Sequence, residues 1–213
     1  MTTRRALIAS SLAAATTASA GAVPESPRLS FRIVRKGSVI GSHVFNFVRD
    51  GSVLTVSIAA DIKIGLGPVA LFRYRHRATE RWAGDTFLGI DAETNDDGTR
   101  YKVDVRREGT GLAVERTGGS HYIAPANAMA ATHWNRRMLS GPLINNQTGD
   151  LLRPTITSLG FETLTLPSGT SVRAERLALR GDVELDTWYS SSLSWFGLRF
   201  TGKDGSEIRY ERV

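Results

Sequence analysis

Apolar and polar residues alternate along much of the chain, and the clearest example runs from Leu54 to Ile64. Every second residue from Leu54 onwards is apolar, and the residues between them are Thr55, Ser57, Ala59, Asp61 and Lys63. A helix would scatter the apolar residues around its axis, whereas a strand places them on one face. The pattern therefore predicts a β-strand with one buried face.

Looser versions of this pattern recur from Leu29 to Val213, separated by short turns rich in Gly and Asp. Residues 49–52, 95–98 and 203–205 each contain Asp-Gly, a strong turn signal. Short strands joined by hairpins predict an all-β fold that is mainly an antiparallel meander. Because curling a sheet removes exposed edges, we expect a closed or half-open barrel rather than a flat sandwich.

One stretch, from Pro125 to Leu139, does not follow the alternation. It is rich in alanine and is bracketed by Pro125 and by Gly141-Pro142. Alanine favours helix and proline ends it, so the stretch predicts either one short helix or a long crossover loop.

The first 22 residues have the layout of an export signal. Arg4 and Arg5 precede a weakly apolar run, and residues 18–20 (Ala-Ser-Ala) fit a cleavage site. The arginine pair matches the twin-arginine route in part, and the general secretory route needs only its charge. We predict that residues 1–22 are a cleaved signal peptide and that residues 23–213 form a single β-rich domain, located in the periplasm or outside the cell.

The chain is basic, with a formal net charge of +6, and it contains no cysteine. A basic protein can bind nucleic acid, anionic lipid or acidic polysaccharide. Export and the lack of an aromatic–basic RNA motif argue against nucleic acid. No later run is apolar over the roughly 20 residues that a membrane-spanning helix needs, so we expect no transmembrane segment in the mature chain. The domain must also be stable without disulfides, which its length allows.

The segment from Val69 to Trp82 carries most of the candidate binding residues. One face of the predicted strand presents four arginines, Arg73, Arg75, Arg77 and Arg81. This cationic stripe predicts a site for an anionic headgroup or a glycan acid. The alternative is a solvated outer face whose arginines pair with Asp or Glu on the next strand.

The opposite face of that segment presents Tyr74, His76, Glu80 and Trp82. His76 and Glu80 would lie about 13 Å apart on a regular strand, too far to act as an acid–base pair by themselves. Trp134 and Trp188 are further aromatic candidates for lining an apolar or sugar cavity. Core packing of the aromatic residues and a hydrogen-bonded core histidine are the alternatives.

Motifs for catalysis, metals and cofactors are missing from the sequence. His43, His76, His121 and His133 lack the short spacing of metal sites. There is no Gly-x-Ser-x-Gly elbow and no phosphate loop. We therefore assign no catalytic residue, no metal and no cofactor.

A series of short motifs follows a recognisable order along the chain. They lie at residues 37–43, 74–76, 80–82, 133–134, 143–149, 186–189 and 203–210. Their order resembles a family of exported proteobacterial β-rich proteins that carries only a domain-of-unknown-function label. The resemblance implies a β fold and an exported location, and it supplies no activity. More distantly, the architecture is similar to the half-barrel lipoprotein carriers of the periplasm, an analogy of fold only.

Three functions are open at this point. The first is a non-catalytic binding or carrier module for an apolar or amphipathic ligand, lipid-like or with an anionic head. The second is an envelope structural or assembly protein that acts by protein–protein contact. The third is a hydrolase that pairs His76, His121 or His133 with a carboxylate from another strand, which requires such a pair in a cleft.

Overall fold

The computed structural model describes residues 26–66 and 69–213. The predicted signal peptide, residues 1–22, lies outside the described residues. In the described part of the chain, no helix is long and apolar enough to cross a membrane.

The described chain consists almost entirely of strands. They are β1 (Arg28–Arg35), β2 (Ser38–Asp50), β3 (Val53–Leu66), β4 (Val69–Ala83), β5 (Thr86–Asp96), β6 (Thr99–Glu108), β7 (Gly111–Arg116), β8 (His121–Pro125), β9 (Met129–Ala130), β10 (Leu143–Ile144), β11 (Leu151–Leu152), β12 (Thr155–Thr165), β13 (Ser171–Arg180), β14 (Leu185–Tyr189), β15 (Trp195–Thr201) and β16 (Glu207–Arg212). A short 3-10 helix spans Arg136–Ser140.

Thirteen strands form one sheet in the order β12-β13-β14-β15-β16-β1-β2-β3-β4-β5-β6-β7-β8. Neighbours in this sheet are antiparallel, and β1 pairs with both β2 and β16. The outermost strands, β12 and β8, do not pair with each other in the described structure. The predicted all-β antiparallel meander is confirmed, and of the two barrel forms the half-open one is observed.

Strand β3 shows why the alternating pattern produces this sheet. Leu54, Val56 and Ile58 are at most 2% exposed, because every second side chain points into the concave interior. Further along the same strand, Ile62 and Ile64 are only half-buried. The inner face of β3 therefore extends beyond the packed core towards one end of the half-barrel.

Residues 126–154, called the plug below, cross the concave face of the sheet. Its strands β9, β10 and β11 form a small separate sheet. Trp134, 1% exposed, packs its ring 5.2 Å from that of Phe47 and 5.6 Å from that of Trp82, centroid to centroid. The plug thus fills the middle of the half-barrel and completes its core.

The first part of the plug falls in the stretch from Pro125 to Leu139, for which the sequence predicted either a short helix or a long crossover loop. Its alanine-rich part forms no helix, because β9 pairs in parallel with β10 instead. The only helical turn in the described part of the plug is the 3-10 helix. The Asn135 side chain caps its start by accepting a hydrogen bond from the Arg137 backbone N–H. Gly141 and Pro142 follow its end. The long crossover loop is therefore the better description.

Candidate functional site

The inner face of β4 holds the plug through a buried carboxylate. Glu80 is fully buried, and its Oε2 accepts a hydrogen bond of 2.5 Å from the Trp134 indole N–H. Its Oε1 accepts a 3.1 Å bond from the Thr132 hydroxyl. Burial raises the pKa of Glu80 to about 7, and the two hydrogen bonds from the plug oppose that rise.

Further along β4 towards the open end of the half-barrel, the side chains of His76 and Tyr74 hold the second half of the plug. Asn146 Nδ2 donates to His76 Nε2 at 3.2 Å, so the ring proton lies on Nδ1, 2.8 Å from Thr94 Oγ1. Burial, aided by the nearby Arg77 charge, lowers the pKa of His76 to about 4. Beyond it, the Tyr74 hydroxyl donates to Gln147 Oε1 at 3.2 Å.

The structure brings together five of the predicted site residues. Tyr74, His76, Glu80 and Trp82 share the inner face of β4, and Trp134 reaches them from the plug. Their plug partners Thr132, Asn146 and Gln147 were not predicted as site residues, because the motif at residues 143–149 implies no role for its members and Thr132 lies outside any motif. The described contacts of Tyr74, His76 and Glu80 are structural, and their role as binding residues stays a prediction.

Trp188 lies apart from this group. It stands on β14 on the face opposite to the core residues Thr187 and Tyr189, and its indole N–H donates to Glu162 Oε1 at 2.6 Å. The guanidinium groups of Arg176 and Arg199 lie over its ring, 5.8 and 5.6 Å from the centroid. The structure therefore does not place Trp188 in a cavity with Trp82 and Trp134.

The arginine stripe of β4 lies on the exposed outer face of the sheet. Nη2 of Arg77 donates to both carboxylate oxygens of Asp61 on β3, at 2.8 and 3.0 Å, and Nε of Arg75 lies 3.5 Å from the same carboxylate. Arg81 pairs with Asp91 of β5 at 2.8 Å. Arg73 is exposed and donates its backbone N–H to Asp97. Carboxylates on neighbouring strands thus oppose the stripe, and its binding of an anion stays a prediction.

A cavity of about 460 Å³ opens at the end of the half-barrel beyond the plug. Its walls are mainly apolar side chains from β2, β3, β4, β15 and β16, namely Ile40, Ile62, Ile64, Phe72, Phe200 and Ile208. Tyr74, Tyr210 and Gln147 lie on the plug side, and Arg35, Lys203, Asp204 and Asp96 bring charge to its lining. We call it the mouth cavity.

The mouth cavity differs in chemistry from depressions elsewhere on the sheet. One of these, about 700 Å³, borders the mouth cavity at Ile40, Ile62 and Tyr74, and its lining also includes the charged side chains of Lys63, Arg73 and Arg75 on the outer face. Ligand sites are typically concave and mostly apolar with a few polar groups. The mouth cavity fits that description, and the sequence did not reveal it because its walls come from the ends of five strands.

The histidines do not form the pair that a hydrolase would need. His43 has both ring nitrogens buried without a hydrogen-bond partner, and Nδ1 of His133 is buried in the same way. His76 bonds only Thr94 and Asn146, and His121 is exposed. Within residues 26–66 and 69–213, no histidine pairs with a carboxylate, and no cluster of three or more His, Asp or Glu could hold a metal ion.

Comparison with known proteins gives a matching family and a solved structure with a similar fold. A family model described as "Domain of unknown function (DUF6134)" matches residues 31–213. The solved structure of the beta-barrel-like protein of domain of unknown function DUF1849 from Brucella abortus superposes with a TM-score of 0.62 at 10% sequence identity. The match covers 87% of this chain and 94% of that one, and it concerns the fold alone. None of the curated proteins matches the chain.

Proposed function

Since this chain belongs to the family described as Domain of unknown function (DUF6134), whose description names no activity, we propose a function from the chain's own geometry. The protein is an exported binding or carrier module that holds an apolar or amphipathic ligand in the mouth cavity. The observation that carries the proposal is an open, mainly apolar cavity at one end of a half-barrel whose middle is packed by the plug.

The structural reason for binding is the unfilled apolar surface of the cavity walls. Ile62 and Ile64 continue the inner face of β3 past the plug, so water covers surface that elsewhere in the interior contacts the core. Removing apolar surface from water yields about 25 cal/mol per Å². An acyl chain or a similar apolar group seated against Ile62, Ile64 and Phe72 would gain this free energy.

Filling the cavity should weaken ligand binding. We expect Ile64→Trp to weaken binding of parinaric acid, a fatty acid whose fluorescence rises in apolar surroundings, by about tenfold or more, since the indole occupies the space of the acyl chain. The matched control is Val48→Trp, which adds the same ring at an exposed position. The measurement is a fluorescence titration of protein purified from its native envelope.

Two results would count against this function. One is that the purified protein fails to bind parinaric acid and that mass spectrometry of its organic extract finds no co-purified ligand. The other is that Ile64→Trp binds as tightly as the unmodified protein, because the ligand would then lie elsewhere.

A protein–protein contact is the second candidate function, and the free edge of β12 favours it. Leu159 and Phe161 are 51% and 50% exposed there. The strand contains a single charged residue, Glu162, and no proline or lysine, the usual protections of an edge. The bulge at Gly160 is the one edge protection present. A second copy of the chain carries the same edge, and pairing between copies would bury both.

Self-association through β12 makes a direct prediction about size in solution. We expect the protein to be a dimer by light scattering on a sizing column, and the double variant Leu159→Asp, Phe161→Asp to be a monomer because like charges would face each other. Val48→Asp, an exposed apolar residue on β2, is the matched control and should remain dimeric. A protein that is monomeric at the highest attainable concentration rules out this contact.

A further inference from the structure

Two neighbouring turns lie at one side of the mouth cavity, and the second of them contributes to its lining. The β1–β2 turn carries Lys36, the β15–β16 turn carries Lys203 and Asp204, and the pairing of β1 with β16 holds the turns side by side. Lys203 and Asp204 line the cavity together with Arg35. Basic residues are therefore concentrated at this side of the opening.

The charges at this side do not cancel. Asp204 is already used, because its Oδ2 binds the Arg35 guanidinium and its Oδ1 accepts a 2.6 Å bond from the Ser206 hydroxyl. Lys36 Nζ is 4.0 Å from Asp204, beyond a direct hydrogen bond. Lys203 has no carboxylate partner among the described residues and lies in the lining. Two lysine ammonium groups thus remain available to a ligand.

The opposite wall has the reverse charge. Asp96 lies there and receives a long bond, 3.4 Å, from the Gln147 side-chain amide. A ligand anion would be repelled from that wall and attracted to the side of Lys203. The apolar residues between the two walls leave room for a tail but offer no charge.

We infer that the ligand of the mouth cavity is an amphiphile with one anionic headgroup, a carboxylate or a phosphate, which Lys203 and Lys36 bind while the apolar tail lies against Ile62, Ile64 and Phe72. This inference rests on the proposed function and adds the class and orientation of the ligand. The lysines that bind the headgroup thus lie on the two turns, away from the arginine stripe of β4, in which Arg75, Arg77 and Arg81 already face carboxylates.

The test compares a charged probe with its neutral counterpart. Parinaric acid and its methyl ester have the same tail, and both are titrated into the protein purified from its envelope. We expect Lys36→Gln combined with Lys203→Gln to weaken binding of the acid by about fivefold, as exposed ion pairs do, and to leave the ester unchanged. High salt should weaken binding of the acid alone. Lys102→Gln is the control, because Lys102 pairs with Glu93 on the outer face.

The outcomes separate this inference from the proposed function. If neither probe binds, the proposed function fails and the inference with it. If both probes bind equally and the lysine variants change nothing, the cavity still binds apolar ligands, but the anionic headgroup is wrong. Inorganic phosphate is the third probe. If it binds with the same dependence on Lys203 while no acyl probe binds, the site takes a free anion and the amphiphile is excluded.

Discussion

Replacing Trp134 by alanine is expected to lower the free energy of unfolding by about 4–5 kcal/mol, at the upper end for a buried aromatic residue. The side chain is 1% exposed and packs between the rings of Phe47 and Trp82. Its removal leaves a cavity in the middle of the half-barrel and leaves Glu80 Oε2 without its hydrogen bond. Urea denaturation followed by circular dichroism measures the change.

The conservative variant separates packing from the hydrogen bond. Trp134→Phe keeps an aromatic ring against Phe47 but loses the indole N–H, so we expect a loss of only about 1–3 kcal/mol. If Trp134→Ala costs less than about 1 kcal/mol, below the range of core truncations, the plug is not part of the cooperative core. The half-barrel would then be hollow, and the proposed mouth cavity would be only part of a larger one.

Much of the sheet could be predicted because its strands are amphipathic. In β3 the apolar positions from Leu54 to Ile58 are the buried ones, so period two alone assigns both the strand and its inner face. The same reasoning correctly grouped the inner residues of β4. It also offered carboxylate pairing as the alternative for the arginines, and Asp61 and Asp91 fill that role.

The contacts of the plug could not be predicted, since they join residues far apart in sequence through irregular backbone. Glu80 and Trp134 are 54 positions apart, and no periodicity relates them. Alanine-rich composition pointed towards helix, whereas tertiary pairing of β9 with β10 determined the outcome. The mouth cavity escaped prediction for a related reason, because it exists only where the plug ends.

Strand β4 contributes to the packed core, to the plug contacts and to the wall of the mouth cavity. Its inner face passes from Trp82, against Trp134, through Glu80 and His76, which hold the plug, to Phe72 in the cavity wall. At about 3.3 Å per residue this path is roughly 33 Å long. Substitutions at one end should therefore affect stability and at the other end ligand binding, which allows the two roles to be tested independently.

Acid is expected to destabilise this protein, because three histidines are held in the neutral form: His76 is buried, and His43 and His133 are half-buried with ring nitrogens that solvent does not reach. Burial is the main cause in each case, and it lowers the pKa of His43 to about 3 and those of His76 and His133 to about 4. The unfolded chain binds these protons near pH 6.5, whereas the folded protein does not. The contribution of the neutral histidines to stability is therefore complete above pH 6.5 and falls with decreasing pH, by about 1.4 kcal/mol per unit for each histidine.

Glu80 acts in the opposite direction over part of this range. Its pKa is raised from 4.5 to about 7, so its contribution is complete below pH 4.5 and is lost as the pH rises through 7. Between pH 7 and pH 4.5, the stability gained by protonating Glu80 offsets the stability lost through about one histidine. The net loss is then about 2.7 kcal/mol per pH unit between pH 6.5 and 4.5, or about 3.4 kcal/mol between pH 8 and pH 5.

His43 offers the sharpest test of this explanation. Its ring lies between those of Phe45, 4.3 Å away, and Tyr210, 5.6 Å away, and neither nitrogen has a partner. His43→Leu removes the titrating group without removing a hydrogen bond, so the loss between pH 8 and pH 5 should shrink to about 1.4 kcal/mol. His121→Leu, at an exposed position, should leave the slope unchanged. Urea denaturation at both pH values measures the slopes. If His43→Leu has the slope of the unmodified protein, the acid sensitivity has another source and the interior histidines are not the groups that control it.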